Sequence, residues 1–297
     1  MSATEVLRRF NRTYTLRIGA LDESFLGLGL PLGASRLVFE IGEDGATVRD
    51  LRVRLGLDSG QLARQLRRLE DDGLVRVAPD PDDRRRRTVR LTEKGRAFRT
   101  RLDDRSEQLA EQLVAPLTGR QRERLTEALA TADLLVRAAT VDIGSVHPAS
   151  REAKQAVQSY FDELDERFPT GFDPGDHHDE KQMAPGAGAF VVATSDGEPV
   201  ACGGVQELES GVGEIKRMWV HPAWRGAGLG SRLLSHLEHV ARELGHHTAR
   251  LDTNGTLVEA IAMYERAGYR HIGRYNGNPY AQAWFEKELV EDRLRDG

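Results

Sequence analysis

The sequence predicts two domains, a mainly α winged helix-turn-helix in the N-terminal half and an α/β domain with a mixed sheet in the C-terminal half. Three observations carry this. The length, 297 residues, leaves each half enough chain for its own core. The charge is unevenly spread: residues 1–140 hold 26 Lys/Arg against 22 Asp/Glu, net +4, and residues 141–297 hold 16 against 25, net −9. The patterning also differs, with helices and one hairpin in the first half and strands alternating with helices in the second.

Composition bounds the class. With 39% hydrophobic and 30% charged residues the chain reads as soluble and globular. It has no apolar run of membrane-spanning length and no charged-then-apolar leader pattern. Cys202 is the only cysteine, which excludes an internal disulfide and fits a reducing cytoplasm. A basic half beside an acidic half implies a different partner for each. The segment 141–148 carries Gly144, Ser145 and Pro148 after a long helical stretch, and is the expected seam between domains 1–142 and 147–297.

In the first half a short helix is expected over 35–42. Thr47 is an N-cap for the next, with Val48, Leu51 and Leu55 on one face. Gly56-Leu57-Asp58 makes a tight turn. A helix over 59–72 then gathers Leu62, Leu66 and Leu69 on one side and Gln61, Arg64, Gln65 and Arg68 on the other. This is helix-turn-helix spacing, with a second helix whose basic face suits a major groove. Gly73 stops it, and 74–78 and 88–91 alternate as the strands of a hairpin. Its tip holds Arg84, Arg85, Arg86 and Arg87. Arginines on such a wing match the negative potential of a narrow minor groove. A further long helix starts at Thr92-Glu93-Lys94-Gly95.

The run Leu57-Asp58-Ser59-Gly60, Leu69 to Val75, Asp80 to Arg85 and Leu91 to Gly95 resembles the MarR family of winged-helix transcriptional regulators, over roughly residues 3–140. The resemblance implies a homodimer held by the terminal helices (3–19 and 102–139) and a pseudo-palindromic double-stranded DNA operator. It places Ser59, Gln61, Arg64 and Arg68 against bases or phosphates and Arg84, Arg85, Arg86 and Arg87 on the wing. Two other readings stand beside it: a solvated arginine run, and a helix-turn-helix retained only for dimerisation.

In the second half, 189–194 and 199–205 read as strands joined at Asp196-Gly197, a hairpin turn signal. A strand over 213–220 follows, then Arg225-Gly226-Ala227-Gly228-Leu229-Gly230 and an amphipathic helix over 231–244. Glycines at a helix start let an anion approach the bare N–H groups. A strand over 247–251, a helix over 256–267 and a strand over 284–288 complete a mixed sheet with covering helices.

The Arg-x-x-Gly-x-Gly of residues 225–230, with Asn254, Ala260 and Tyr264-Glu265-Arg266-Ala267-Gly268-Tyr269 about one strand later, resembles the GNAT family of acetyl-CoA-dependent N-acetyltransferases, over roughly residues 150–290. The resemblance implies acetyl-CoA as donor and an amine as acceptor. The diphosphate of acetyl-CoA falls on the turn Arg225, Gly226, Ala227, Gly228, Leu229, Gly230 and Ser231. Its pantetheine runs beside Met218, Trp219 and Val220 as an added strand, and Asn254 touches that arm. A dinucleotide fingerprint is the structural rival, but its third glycine is missing: residues 231 and 233 are Ser and Leu.

Amine acetylation needs a proton acceptor, because a protonated amine cannot attack. Glu214 is the candidate base; a carboxylate that holds a cationic amine and a plain strand-end charge are its alternatives. A backbone N–H near 218–220 can serve the oxyanion. Tyr264 is the candidate acid for the leaving thiolate, although Leu257, Ala260, Ile261 and Tyr264 also form one helical face that reads as core. The aromatic segment around 275–286 and residues 168–172 are candidates for lining the acceptor pocket. His236, His239, His246 and His247 lack a metal-ligand pattern, so no metal is expected, and Cys202 reads as a small buried residue. Three functions remain open: a regulator that is also an acetyltransferase, an acetyl-CoA-sensing regulator without catalysis, and an acetyltransferase that dimerises through its winged helix.

Overall fold

The computed structural model describes residues 1–80, 83, 85–168, 171–173 and 179–289. Contacts divide the chain into two compact units, Met1–Glu127 and Ala128–Gly297.

The first unit opens with α1 (Ala3–Arg17), entered through a reciprocal capping box between Ser2 and Glu5. α2 (Leu32–Ile41) begins directly after Pro31 and buries Leu37, Val38 and Ile41. β1 (Ala46–Thr47) is two residues long, too short to show a period in the sequence. It leads into α3 (Val48–Leu55), where Thr47 Oγ1 accepts the Asp50 N–H at 3.1 Å. α4 (Ser59–Asp71) is capped by Asp58, which accepts the Gln61 N–H at 2.8 Å. Its Leu62, Leu66 and Leu69 are buried, as their spacing requires.

β2 (Val75–Pro79) and β3 (Arg87–Leu91) form the expected hairpin, and β1 adds to the other side of β3, giving the order β1-β3-β2. α5 (Glu93–Val114) and α6 (Gly119–Ala139) follow. Gly95 is where α5 meets the entry to β2: a Cβ there would stand 2.0 Å from the Leu74 carbonyl oxygen, so only glycine permits this approach.

The segment expected as a seam is instead a strand. β4 (Asp142–Val146) pairs antiparallel with the following strand, and the units divide within α6. Gly144 and Ser145 read as loop, yet they lie on a sheet edge, where small and polar residues are tolerated. α7 (Arg151–Arg167), a helix the sequence reading leaves out, buries Ala153, Ala156 and Leu164. After α8 (Asp179–Gln182) come β5 (Gly188–Ser195), β6 (Glu198–Glu209), β7 (Val212–Val220), α9 (Leu229–Glu243), β8 (Thr248–Thr253), α10 (Val258–Arg266), β9 (Arg270–Ile272) and β10 (Ala283–Glu288).

The sheet order is β4-β5-β6-β7-β8-β10-β9, antiparallel except for the β7/β8 pair. Asp196 and Gly197 both take positive φ, +54° and +84°, the signature of a tight hairpin turn. Alternation along β5 feeds two cores: Val191 and Ala193 join α9, whereas Phe190 and Val192 join α7. Helices thus cover both faces. Among the described residues no helix is long and apolar enough to cross a membrane.

Replacing Gly95 with Val forces a side chain into the Leu74 backbone. The expected loss is about 1–3 kcal/mol of stability, measured by urea unfolding; an unchanged midpoint would show that α5 shifts freely.

Candidate functional site

β7 and β8 pair through only three residue pairs, Val212↔Thr248, Gly213↔Ala249 and Glu214↔Arg250. Past Glu214 the strands separate, and the edge of β7 lines a cleft. A bulge adds to the divergence. Cys202 faces Trp219 and Gly204 faces Lys216, so Arg217 and Met218 together oppose Gly203. Arg217 takes φ +53°, an uncommon value for a side-chain-bearing residue.

Two cavities open along this cleft, of about 600 and 630 Å³. Both are lined by Tyr160, Leu164, Met218, Leu257, Ala260 and Tyr264, so they are two ends of one channel. The first end reaches the glycine turn. Gly226 and Gly228 have φ +80° and +77°, and a Cβ at either would meet nothing, so their backbone faces open space. α9 starts immediately after Gly228 with no side-chain cap, which leaves its first N–H groups for an anion. Trp219, Val220, Leu229, Gly230 and Ser231 line this end too.

The side chains of three of the expected donor-side residues are engaged elsewhere in the protein. The Arg225 guanidinium turns onto Glu163, with Nη2 at 2.5 Å from both carboxylate oxygens, while Nε donates to the Val220 carbonyl at 3.1 Å. Its charge is already matched, leaving the backbone of residue 225 for the turn. Ala227 packs against the core. Asn254 lines the other end, where its Nδ2 donates to the Tyr280 carbonyl at 2.8 Å. Glu163 also accepts from Trp219 Nε1 at 2.8 Å and pairs with Arg167 at 3.0 Å. Burial alone would raise its carboxyl pKa. The Arg225 and Trp219 hydrogen bonds, with the charges of Arg225 and Arg167, outweigh that and lower it.

At the second end Glu214 is 2% exposed. Its Oε1 accepts from Tyr275 Oη at 3.0 Å and Asn276 Nδ2 at 3.1 Å; its Oε2 accepts from Gln206 Nε2 at 2.9 Å and lies 3.6 Å from Lys216 Nζ. The orientation of Asn276 is settled by chemistry. Trp284 Nε1 can only donate, and it lies 3.0 Å from Asn276 Oδ1, so Nδ2 faces the carboxylates. The same Nδ2 lies 2.5 Å from Asp252 Oδ2. Glu214 and Asp252 therefore share one amide donor. Sequence reasoning missed Asp252 as a functional carboxylate, because 38 residues of chain separate it from Glu214.

Tyr264 is 6% exposed, with its hydroxyl 3.9 Å from Met218 Sδ at the junction of the two ends. Its ring packs on Phe285 and Tyr269, and its hydroxyl still borders the channel. Burial, reinforced by the Asp252 charge, raises its pKa and keeps the phenol protonated. Cys202 is buried, which pushes its thiol up to about 12 and leaves it unreactive. Among the described residues no group of three or more His, Cys, Asp or Glu is placed to hold a metal.

In the first unit Ser59, Gln61, Arg64 and Arg68 are all exposed on α4, opposite its buried leucines, and Arg67 joins them. Arg85, Arg86 and Arg87 are exposed at the hairpin tip, with Arg86 Nε 3.3 Å from Asp83; Arg84 lies outside the described residues. Arg76 and Arg90 stand directly opposite each other on the exposed face of the hairpin. Like charges so placed repel, and a bound polyanion relieves that repulsion.

A winged helix-turn-helix module and an α/β module with a cleft beside its central strand thus share one chain. The model of the acetyltransferase (GNAT) family matches residues 157–269, and that of the MarR family matches residues 28–86. The IAA acetyltransferase of Azospirillum brasilense is 33% identical over 130 residues, 43% of this chain and 84% of that protein. The uncharacterized N-acetyltransferase YjgM of Escherichia coli (strain K12) is 40% identical over 87 residues, 28% of this chain and 52% of its own length. The HTH-type transcriptional regulator TtmR of Methylorubrum extorquens (strain PA1) is 44% identical over 61 residues, 20% of this chain and 31% of its own. The chain belongs to the GNAT acetyltransferase family and carries a MarR-family domain ahead of that fold.

Because the Glu163 carboxyl titrates below its unfolded value, its ion pairs contribute stability that is complete above the ordinary glutamate pKa, about 4.3. That contribution fades as pH falls below it. Between pH 7 and pH 3.5 the wild type should lose more stability than Glu163→Gln in urea unfolding followed by tryptophan fluorescence. Equal losses would mean that the pairs do not stabilise the fold.

Proposed function

We propose that the chain is a bifunctional protein: a DNA-binding transcriptional regulator that is also an acetyl-CoA-dependent N-acetyltransferase, acting on an amine of a small molecule or protein. The observation that carries the reading is the channel with two ends that meet at Tyr264. One end offers open glycine backbone and uncapped helix amides for a diphosphate. The other offers carboxylates for an amine.

Acetyl-CoA is the donor substrate in this reading, with its diphosphate on residues 225–231 and its pantetheine along Met218, Trp219 and Val220. The acceptor nitrogen gives up its proton toward Glu214, directly or through water. The open position on that carboxylate is the one on Oε2, where Lys216 stands at 3.6 Å, beyond a hydrogen bond. The nitrogen forms a bond to the acetyl carbonyl carbon, a backbone N–H near 218–220 steadies the oxyanion, and the carbon–sulfur bond breaks. Tyr264, whose hydroxyl borders both ends of the channel, supplies the proton to the departing sulfur.

On the regulatory side, Ser59, Gln61, Arg64 and Arg68 meet a major groove, and Arg84, Arg85, Arg86 and Arg87 an adjacent minor groove. Operator binding by a homodimer fits α1, which buries none of its residues and exposes Leu7, Phe10 and Tyr14.

Incubation with acetyl-CoA and a panel of amines should release free CoA thiol in an acceptor-dependent way, and Gly228→Glu should abolish it. Thiol silence with acetyl-CoA still bound would favour a regulator that senses acetyl-CoA without catalysis. Tyr264→Phe should lower kcat by about 100-fold or more with acetyl-CoA affinity unchanged; unchanged kcat would leave Tyr264 as packing only. For DNA, affinity should fall steeply with salt. Arg64→Ala/Arg68→Ala should flatten the slope of log K against log salt by about 1 to 2 while acetyl transfer is retained. An unaltered slope would remove α4 from the DNA interface.

A further inference from the structure

The acceptor end of the channel combines two features that together narrow the acceptor. The first is the state of Asp252. Among the described residues its carboxylate accepts only from neutral amides: Asn276 Nδ2 at 2.5 Å on Oδ2, and Asn278 Nδ2 at 3.2 and 3.3 Å across both oxygens. Among the described residues no lysine or arginine forms an ion pair with it. A carboxylate has about four acceptor positions, so Asp252 keeps capacity in hand on the cavity wall. Glu214 beside it is nearly filled, with three hydrogen bonds and the Lys216 contact.

Strand geometry explains why Asp252 faces the opening. Glu214 and Arg250 are the last β7/β8 pair, and Asp252 lies two residues further along β8 on the same face as Arg250. It stands where the strands have parted. Across the sheet it pairs with Trp284, whose indole fixes Asn276. Asn276 and Asn278 come from the loop before β10, so that loop positions Asp252 with neutral donors and leaves its charge unmatched.

The second feature is an aromatic wall on the same cavity. Phe168 stacks on Tyr280 with centroids 5.5 Å apart and an interplanar angle of 17°, and Phe172 lies 4.9 Å from Tyr280. The Tyr280 hydroxyl accepts the Asp173 N–H at 2.9 Å, and the Asp165 carboxylate accepts the Phe172 N–H at 2.9 Å, so the wall is tied at both sides. Lys216 and Arg217 line the cavity as well. The first is engaged by Glu214, and the second lies over the Phe161 ring at 5.4 Å.

We infer that this cavity selects an acceptor with an apolar, aromatic body and a protonated amine, the ring packing on Phe168, Phe172 and Tyr280 and the ammonium seated on Asp252. The inference rests on the acetyltransferase reading for its biological sense but not for its test. An ammonium brings a charged donor to a carboxylate that keeps about one acceptor position and has no cationic partner among the described residues, and desolvation in the cavity strengthens that pair. The aromatic wall adds apolar burial and ring contacts. Neither half alone gives the selectivity, because an aryl alcohol leaves the Asp252 charge unmatched and a short alkylamine leaves the wall wet.

The test is calorimetric titration of the full chain with CoA present, using phenethylamine, 2-phenylethanol and ethylamine. Phenethylamine should bind at least tenfold tighter than either of the others. Asp252→Asn should reduce its affinity to that of 2-phenylethanol, leaving the alcohol's own affinity and that of CoA unaltered. Phenethylamine binding no tighter than the alcohol or ethylamine, or no binding at all, would overturn the inference on wild-type protein alone, whatever the variant does. So would Asp252→Asn that binds CoA and keeps full affinity for the amine. Thiol release from acetyl-CoA is followed in parallel. Amine binding without release sinks the transferase reading and keeps the amine site; release that is indifferent to the aryl group and to Asp252 does the reverse.

Discussion

The separation of β7 from β8 after Glu214 is the constraint on which the second unit depends. A parallel pair normally continues as long as both strands run, because each unpaired backbone group costs a hydrogen bond. Here the pair ends after three residues, and the bulge at Arg217–Met218 bends β7 while the loop before β10 leans on β8. The backbone left unpaired faces a channel rather than a strand. The candidate site residues of this unit are arranged along that channel: the glycine turn at one end, the carboxylates at the other, and Tyr264 between.

Both ends solve the same electrostatic problem in opposite ways. At the turn, Arg225 is matched by Glu163, which is matched again by Arg167 and Trp219, so the turn presents neutral backbone amides. At the other end, Glu214 and Asp252 sit close enough to share the Asn276 amide, and they are held mainly by uncharged donors. Two carboxylates so near each other repel, and that repulsion favours a cation between them. Amide donors orient the charges without cancelling them, whereas an arginine in the same place would close the site.

The first unit relies on a simpler device. Three leucines anchor α4 on the core, and that one contact fixes which residues face outward. Arg64, Arg67 and Arg68 stay exposed on the far side of α4, and Arg76 stands directly opposite Arg90 on the exposed face of the hairpin, where like charges repel.

Legibility follows the range of the interactions involved. The helix-turn-helix, its caps at Thr47 and Asp58, the Asp196-Gly197 turn and the glycine turn ahead of α9 are set by neighbours in sequence, so residue spacing reveals them. β1 is too short to carry a period. β4 looks like a linker because its residues suit an edge. α7 lies just past that apparent linker and ahead of a glycine- and proline-rich stretch. Glu214 and Tyr264 are legible as candidates because they lie on elements with strong patterns. Their surroundings are not: Asn276 is 62 residues from Glu214 and 24 from Asp252, and Glu163 is 62 from Arg225.

The sequence by itself determined both families, the order of most elements and the residues of the turn, because each of these is written in local spacing and side-chain type. Only the tertiary structure decided which groups each carboxylate accepts from, where Arg225 spends its charge, and that the two ends of the channel meet at one tyrosine. Those outcomes depend on how strands distant in the chain are laid side by side, and on lone pairs counted between residues that no sequence window contains together.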